Sequence, residues 1–160
     1  MTVISNATPL INFAAINRLD ILQSVFDKII IPQAVYQETT LLSFPQSQLI
    51  IQATHSDWLD VYDVTLQMNN LSSKLDTGEK EVIALAIEIN ERKVLLDEKE
   101  ARRVAQEFGL QIIGTIGILL LAKNKQVIPK IAPLLDSMID VAQYWVSQSL
   151  YQQVLKQAGE

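Results

Sequence analysis

The sequence contains no cysteine, so disulfides and thiolate metal sites are excluded, a usage compatible with a reducing compartment. It has one histidine, His55, in a weakly patterned stretch, and no Gly-x-Ser-x-Gly ahead of a helix, which argues against nucleophilic hydrolase chemistry. Gly-x-Gly-x-x-Gly and Walker-A patterns are missing too. Basic residues are outnumbered, 13 Lys and Arg against 18 Asp and Glu, and the net charge of −5 argues against broad non-specific nucleic-acid affinity. A bound divalent cation would reverse that sign locally. Apolar runs such as 116–122 are far too short to span a bilayer. No basic region with a long apolar segment follows the first residue, so a secretory signal is not expected. These absences predict a soluble cytoplasmic protein.

What is present is core material. Hydrophobic residues make up 49% and charged residues 19% of 160 residues, enough for one domain that buries about 70% of its unfolded surface. Short aliphatic runs predict strands at 2–5, 28–31, 59–64, 94–96 and 111–113. Helical patterns lie at 9–15, 19–26, 32–40, 47–54, 78–91, 98–108, 116–125, 129–141 and 147–157, with Pro9 and Pro32 suited to helix starts and Gly109 to a C-cap. Stretch 69–74 reads as loop. Alternation of strand and helix implies parallel strands joined by crossover helices. The expected architecture is a three-layer α/β/α sandwich around a mainly parallel five-stranded sheet, a single domain over 1–160 with a helical extension from about 129.

Acids gather around the predicted strand ends. Asn6 follows the first strand directly; it offers one carbonyl oxygen to a metal, and it equally suits a helix N-cap. Glu38 shares a helical stripe with Ala34 and Val35, which faces it inward. Asp76 and Glu79 form a capping-box spacing. On the wheel of that helix Glu79 nevertheless falls within the apolar arc beside Val82 and Ala86, and Glu81 at its edge. A carboxylate there needs a partner or a metal, because burying it alone costs several kcal/mol. Asp97 ends the run Val94-Leu95-Leu96, where open α/β sheets place their sites, or it caps the next helix. Arg102 and Arg103 follow one turn later, placed to neutralise acids, meet phosphate or face solvent. Thr115, between Gly114 and Gly117, either binds phosphate at a helix N-terminus or caps that helix. Trp58 and Trp145 read as core or edge anchors rather than base-stacking platforms.

Ser5-Asn6-Ala7-Thr8-Pro9-Leu10-Ile11, the Pro32…Glu38 helix, Leu75-Asp76-Thr77-Gly78-Glu79-Lys80-Glu81-Val82 and Leu95-Leu96-Asp97-Glu98…Ala101-Arg102, together with Gly114-Thr115-Ile116-Gly117, resemble PIN domains. The nearest branch is the set of PIN-like proteins kin to toxins of bacterial toxin–antitoxin pairs. The resemblance covers nearly the whole chain. It implies a ribonuclease dependent on Mg²⁺ or Mn²⁺, with catalytic and metal-binding positions at Asn6, Glu38, Glu79 and Asp97, Glu81 as an alternative third, and substrate contacts at Thr8, Arg102 and Thr115. An aspartate is usual where Asn6 stands, so the chain lacks one ligand charge and a candidate base.

The resemblance further implies an RNA substrate and a small antitoxin protein as partners. Two other readings compete with the nuclease. One is a catalytically impaired PIN-like module that binds nucleic acid or protein, which rests on Asn6. The other is a phosphoacceptor receiver domain, which needs paired acids after the first strand and a lysine after the last; Ser5-Asn6 and the mid-helix Lys123 do not supply them. The helix at 147–157 carries Leu150, Tyr151, Val154 and Leu155 on one side, for packing at home or for a homodimer.

Overall fold

The computed structural model describes residues 1–41 and 44–160. Five strands, β1 (Thr2–Ser5), β2 (Lys28–Pro32), β3 (Leu59–Tyr62), β4 (Lys93–Leu95) and β5 (Gln111–Ile113), form one sheet in the order β3-β2-β1-β4-β5. All four pairings are parallel, with Ile4 level with Ile30 on one side and Val94 on the other. A parallel sheet is covered on both faces, which explains why its strands read as unbroken aliphatic runs. Val3, Ile4, Ile29, Ile31, Val94 and Leu95 are fully buried.

Nine helices among the described residues complete the layers: α1 (Ala7–Ala15), α2 (Leu19–Val25), α3 (Gln33–Thr40), α4 (Ser47–Thr54), α5 (Thr77–Glu88), α6 (Lys99–Glu107), α7 (Thr115–Asn124), α8 (Ala132–Val141) and α9 (Gln148–Gln157). None is long and apolar enough to cross a membrane. Each predicted element is present, with ends shifted by no more than three residues. Two ends move by three, the first at the start of α8, expected from residue 129. Pro129 and Pro133 both suit a helix start, and the helix takes Pro133. At the far end of α5, Asn90 adopts a left-handed φ of 56° and stops the helix short of residue 91. Gly109, with φ of 75°, follows α6 as expected of a C-cap.

The strand order places the site. From β1 the chain winds outward through β2 to β3, then crosses back over to β4 and continues to β5. Right-handed crossovers therefore send the two sets of connecting helices to opposite faces. Their divergence opens a crevice at the carboxyl ends of β1 and β4, the switch point where open α/β sheets bind ligands.

The last helices are tied back to this frame by Glu160. Its carboxylate accepts the backbone N–H of Ile131 at 2.7 Å and of Ala132 at 3.1 Å, where α8 begins, and pairs with Lys123 of α7 at 2.9 Å. Those donors outweigh its partial burial and draw its acid dissociation down to about 2. Glu160→Ala is expected to destabilise by about 1 kcal/mol at neutral pH, as loss of a helix cap does. The carboxyl titrates lower in the folded than in the unfolded chain, so its contribution is full above about pH 4.5 and fades towards pH 2. Urea unfolding across that range should show the gap between variant and parent closing.

Candidate functional site

Asn6 stands one residue past β1. Its backbone N–H bonds to the carbonyl of Leu95 at 3.0 Å, extending the β1–β4 pairing by one step. The side chain is 3% exposed. Its Nδ2 donates to Glu98 Oε2 at 3.2 Å, and Thr8, on the first turn of α1, donates its hydroxyl to Glu98 Oε1. Asn6 Oδ1 has no hydrogen-bond partner although it is buried. It lies against the first turn of α5: a Cβ at Gly78 would sit 3.4 Å from Asn6 Oδ1 and 3.5 Å from Asp76 Oδ1. A buried acceptor without a donor is a rarity that calls for an explanation, such as an ion or a ligand.

The acids around that atom come from three elements. Asp76 caps α5 by a complete capping box, Asp76 Oδ1 accepting the Glu79 N–H at 2.7 Å and Glu79 Oε1 accepting the Asp76 N–H at 2.9 Å. The box therefore exists, and the inward orientation of Glu79 exists with it, since the residue is 5% exposed. Burial is the main reason its carboxyl is pushed up to about 7; the charges of Asp76, Glu98 and Glu38 add to the shift. Half-buried Glu38 on α3 is raised for the same reasons, burial first and then Asp76 and Glu98. Glu38, Asp76, Glu79 and Glu98 thus feel one another across a single crevice.

Asp97 belongs to a neighbouring knot. Its Oδ1 accepts the Thr115 N–H at 2.9 Å and the Tyr144 hydroxyl at 3.1 Å; its Oδ2 accepts the Thr115 hydroxyl at 2.7 Å. The Thr115 oxygen in turn accepts from Asn12 Nδ2 at 3.1 Å. Burial raises the Asp97 carboxyl against these donors, and the Asp97 charge holds Tyr144, itself raised chiefly by burial, in its protonated form. A Cβ at Gly114 would come within 3.1 Å of Asp97 Oδ1, so glycine lets the chain pass this close.

The chain matches, over residues 2–160, the model of a family described as a PIN domain. This protein belongs to the PIN-domain family. Membership carries a nuclease-like fold and a general use of divalent metal ions. A PilT N-terminus domain protein from the hyperthermophilic archaeon Sulfolobus solfataricus is a similar solved structure, with a TM-score of 0.48, 14% identity, and coverage of 74% of this chain and 90% of that one. No curated protein matches the chain.

Of the residues marked out in the sequence, the PIN fold brings Asn6, Glu38 and Glu79 to one crevice. Asp97 stands beside it with its oxygens taken up by Thr115 and Tyr144. Rather than capping the helix that follows it, Asp97 supplies a partner for the first N–H of α7. Thr115, expected to meet phosphate or cap its own helix, spends both N–H and hydroxyl on Asp97, and Thr8 spends its hydroxyl on Glu98. Glu81 faces a different groove, lined by Leu66, Met68 and Leu71. Arg102 lines a cleft with Asp97 and Tyr144. Sequence reasoning missed Glu98 as the acid beside Asn6, although its carboxylate directly follows Asp97. It also missed Tyr144, which carries no local signal. Trp58 is a core anchor at 8% exposure, whereas Trp145 is 82% exposed and anchors nothing.

The donor chemistry fits a hard divalent cation: Glu38, Glu79, Glu98 and Asn6 Oδ1 all offer oxygen, and the amide oxygen is unpartnered. Among the described residues no three acidic side chains are gathered tightly enough to clasp an ion as they stand. Loading therefore requires the glutamates to move inward, Glu98 away from its two donors. The electrostatics give a measurable consequence. Folded Glu79 keeps a proton that the unfolded chain releases, so stability falls as pH rises from about 4.5 to about 7, and the full penalty stands above that window. In EDTA the melting temperature should drop across it. Glu79→Gln should flatten the profile, and Mn²⁺ at pH 8 should restore stability to the parent but not to the variant.

Proposed function

We propose that this chain is a divalent-metal-dependent endoribonuclease that hydrolyses phosphodiester bonds, the toxin of a toxin–antitoxin pair. The observation that carries the reading is the orphaned Asn6 Oδ1 at the rim of a four-acid crevice on a PIN fold. Carboxylates that raise one another's proton affinity in a buried crevice are a strained arrangement, one that a cation relieves. Glu38, Glu79 and Glu98 would hold Mg²⁺ or Mn²⁺, with Asn6 Oδ1 as a neutral fourth donor. The ion would supply an acidified water and charge neutralisation at the scissile phosphate.

The protein's own residues do the rest. Glu79 keeps Oε1 on the Asp76 N–H and holds or yields a proton near neutral pH at Oε2. Thr8 and Asn6 hold Glu98 in place at the crevice. The Asp97–Thr115–Tyr144 knot fixes the start of α7 and the loop after α8, so the rim keeps its shape. Arg102 meets phosphate of the RNA. A small antitoxin protein and a homodimer built on α9 complete the proposed partners; Val154 of that helix packs at home, while Leu150 stays 40% exposed.

A second reading has its own observation. Asn6 Nδ2 binds Glu98, so the amide both lacks a charge and occupies a carboxylate that the ion needs. This favours an impaired PIN module that binds RNA or protein without cutting. One series of assays separates the two. The nuclease reading expects the parent to cleave single-stranded RNA with Mn²⁺ or Mg²⁺ and to stop in EDTA. Glu79→Gln and Glu98→Gln should each lower the rate by about a hundredfold, the scale of losing one charge-stabilising group. Equal cleavage by all three proteins would end the nuclease reading, since contamination would explain it. An inactive parent that Asn6→Asp makes active would establish the impaired module instead.

A further inference from the structure

A cleft of about 920 Å³ runs along the outer edge of the sheet beside β5 and opens at Asp97. Its floor is apolar, with Ile113 and Leu121 among the lining residues. Its charged lining is different in kind from the rest of this acidic chain: Lys93, Lys99 and Arg102 all face it, and none of them forms an ion pair among the described residues. At its rim stands Trp145, whose ring is left in solvent. The residue before it is anchored, because the Tyr144 hydroxyl is bonded to Asp97 at the mouth of the crevice.

We infer that this cleft is a subsite for single-stranded nucleic acid, in which Trp145 stacks on a base while Lys93, Lys99 and Arg102 hold the phosphates on either side of it. The inference rests on the nuclease reading for where the strand leads, and on charge complementarity for what occupies the cleft. In a protein of net charge −5, three unpaired cations gathered on one concave face repel one another, and a polyanion relieves that repulsion. An exposed indole next to such cations is the combination that grips unpaired bases irrespective of sequence. A duplex hides its base faces and is not expected to engage the indole. A second copy of this chain would bring further acids and apolar surface, and is the main competitor for the exposed ring.

Tryptophan fluorescence in EDTA reads this directly, because the only other tryptophan, Trp58, is buried. A single-stranded RNA of about ten nucleotides, within the usual site size, should quench the emission saturably, and a blunt duplex should not. Raising salt should weaken binding steeply. Trp145→Ala should weaken binding by roughly five- to a hundredfold, as measured by the anisotropy of a labelled strand. Lys93→Ala should weaken it and lower the salt dependence by about one ion. Trp145 is exposed and Lys93 only half-buried, so a circular-dichroism melt matching the parent certifies each variant. Quenching that follows protein concentration without RNA, with a dimer in sedimentation, would overturn the proposal in favour of a second copy. Unchanged affinity in Trp145→Ala would also overturn it. Saturable quenching by RNA that the Mn²⁺-loaded parent never cuts would support the subsite while refuting the nuclease reading; cleavage with no quenching would do the reverse.

Discussion

A single backbone hydrogen bond, from Asn6 to the carbonyl of Leu95, organises the reactive end of this molecule. It carries the β1–β4 pairing one residue beyond the strands themselves and fixes where both chains leave the sheet. Everything placed by the following turns inherits that geometry: Thr8 on α1, Asp97 and Glu98 ahead of α6, and through Asp97 the first turn of α7. The central position of β1 makes the arrangement possible, because only there do strands of both winding directions end side by side.

The same closeness generates electrostatic tension. Four acids share a crevice in which one of them is nearly excluded from water. The fold offsets part of that with donors it already has. The capping box gives Glu79 a backbone N–H, and the first turn of α5 adds the positive end of its dipole. Asn6 and Thr8 give Glu98 two more. An amide rather than a carboxylate at position 6 removes one repulsive charge and turns it into a donor, which favours the ion-free fold and weakens the attraction for a cation. Stability and function pull in opposite directions at this residue, as they commonly do at sites built from like charges.

Much of this was legible in the sequence because the signals were local and mutually consistent. The aliphatic runs, the helix periods and their alternation defined all five strands and the layered sheet. Glu79 was legible for a physical reason, a carboxylate in an apolar arc. Asp97 was legible and Glu98 was not, because neighbouring residues on extended backbone point to opposite sides. Glu98 has such a backbone, with φ −68° and ψ 133°. Side chains one residue apart therefore serve two different networks, and no composition rule says which faces Asn6. Tyr144 was beyond reach for another reason. It arrives from a loop dozens of residues downstream, and its bond to Asp97 exists only once the helices on either side of that loop have packed.

The net charge says little about how this surface is arranged. A total of −5 describes the average surface, whereas association depends on how the charges are distributed. Here Glu38, Asp76, Glu79, Asp97 and Glu98 meet at the switch point and unpaired cations line the adjoining edge of the sheet. The two regions meet at Asp97, whose carboxylate is half-buried and takes three hydrogen bonds from Thr115 and Tyr144. On the proposed reading, a polyanion approaching along the cations would be held by them up to that junction and repelled beyond it until a cation filled the crevice. Binding of strand and metal would then be coupled by charge alone, each making the other's site more favourable with no change of fold required.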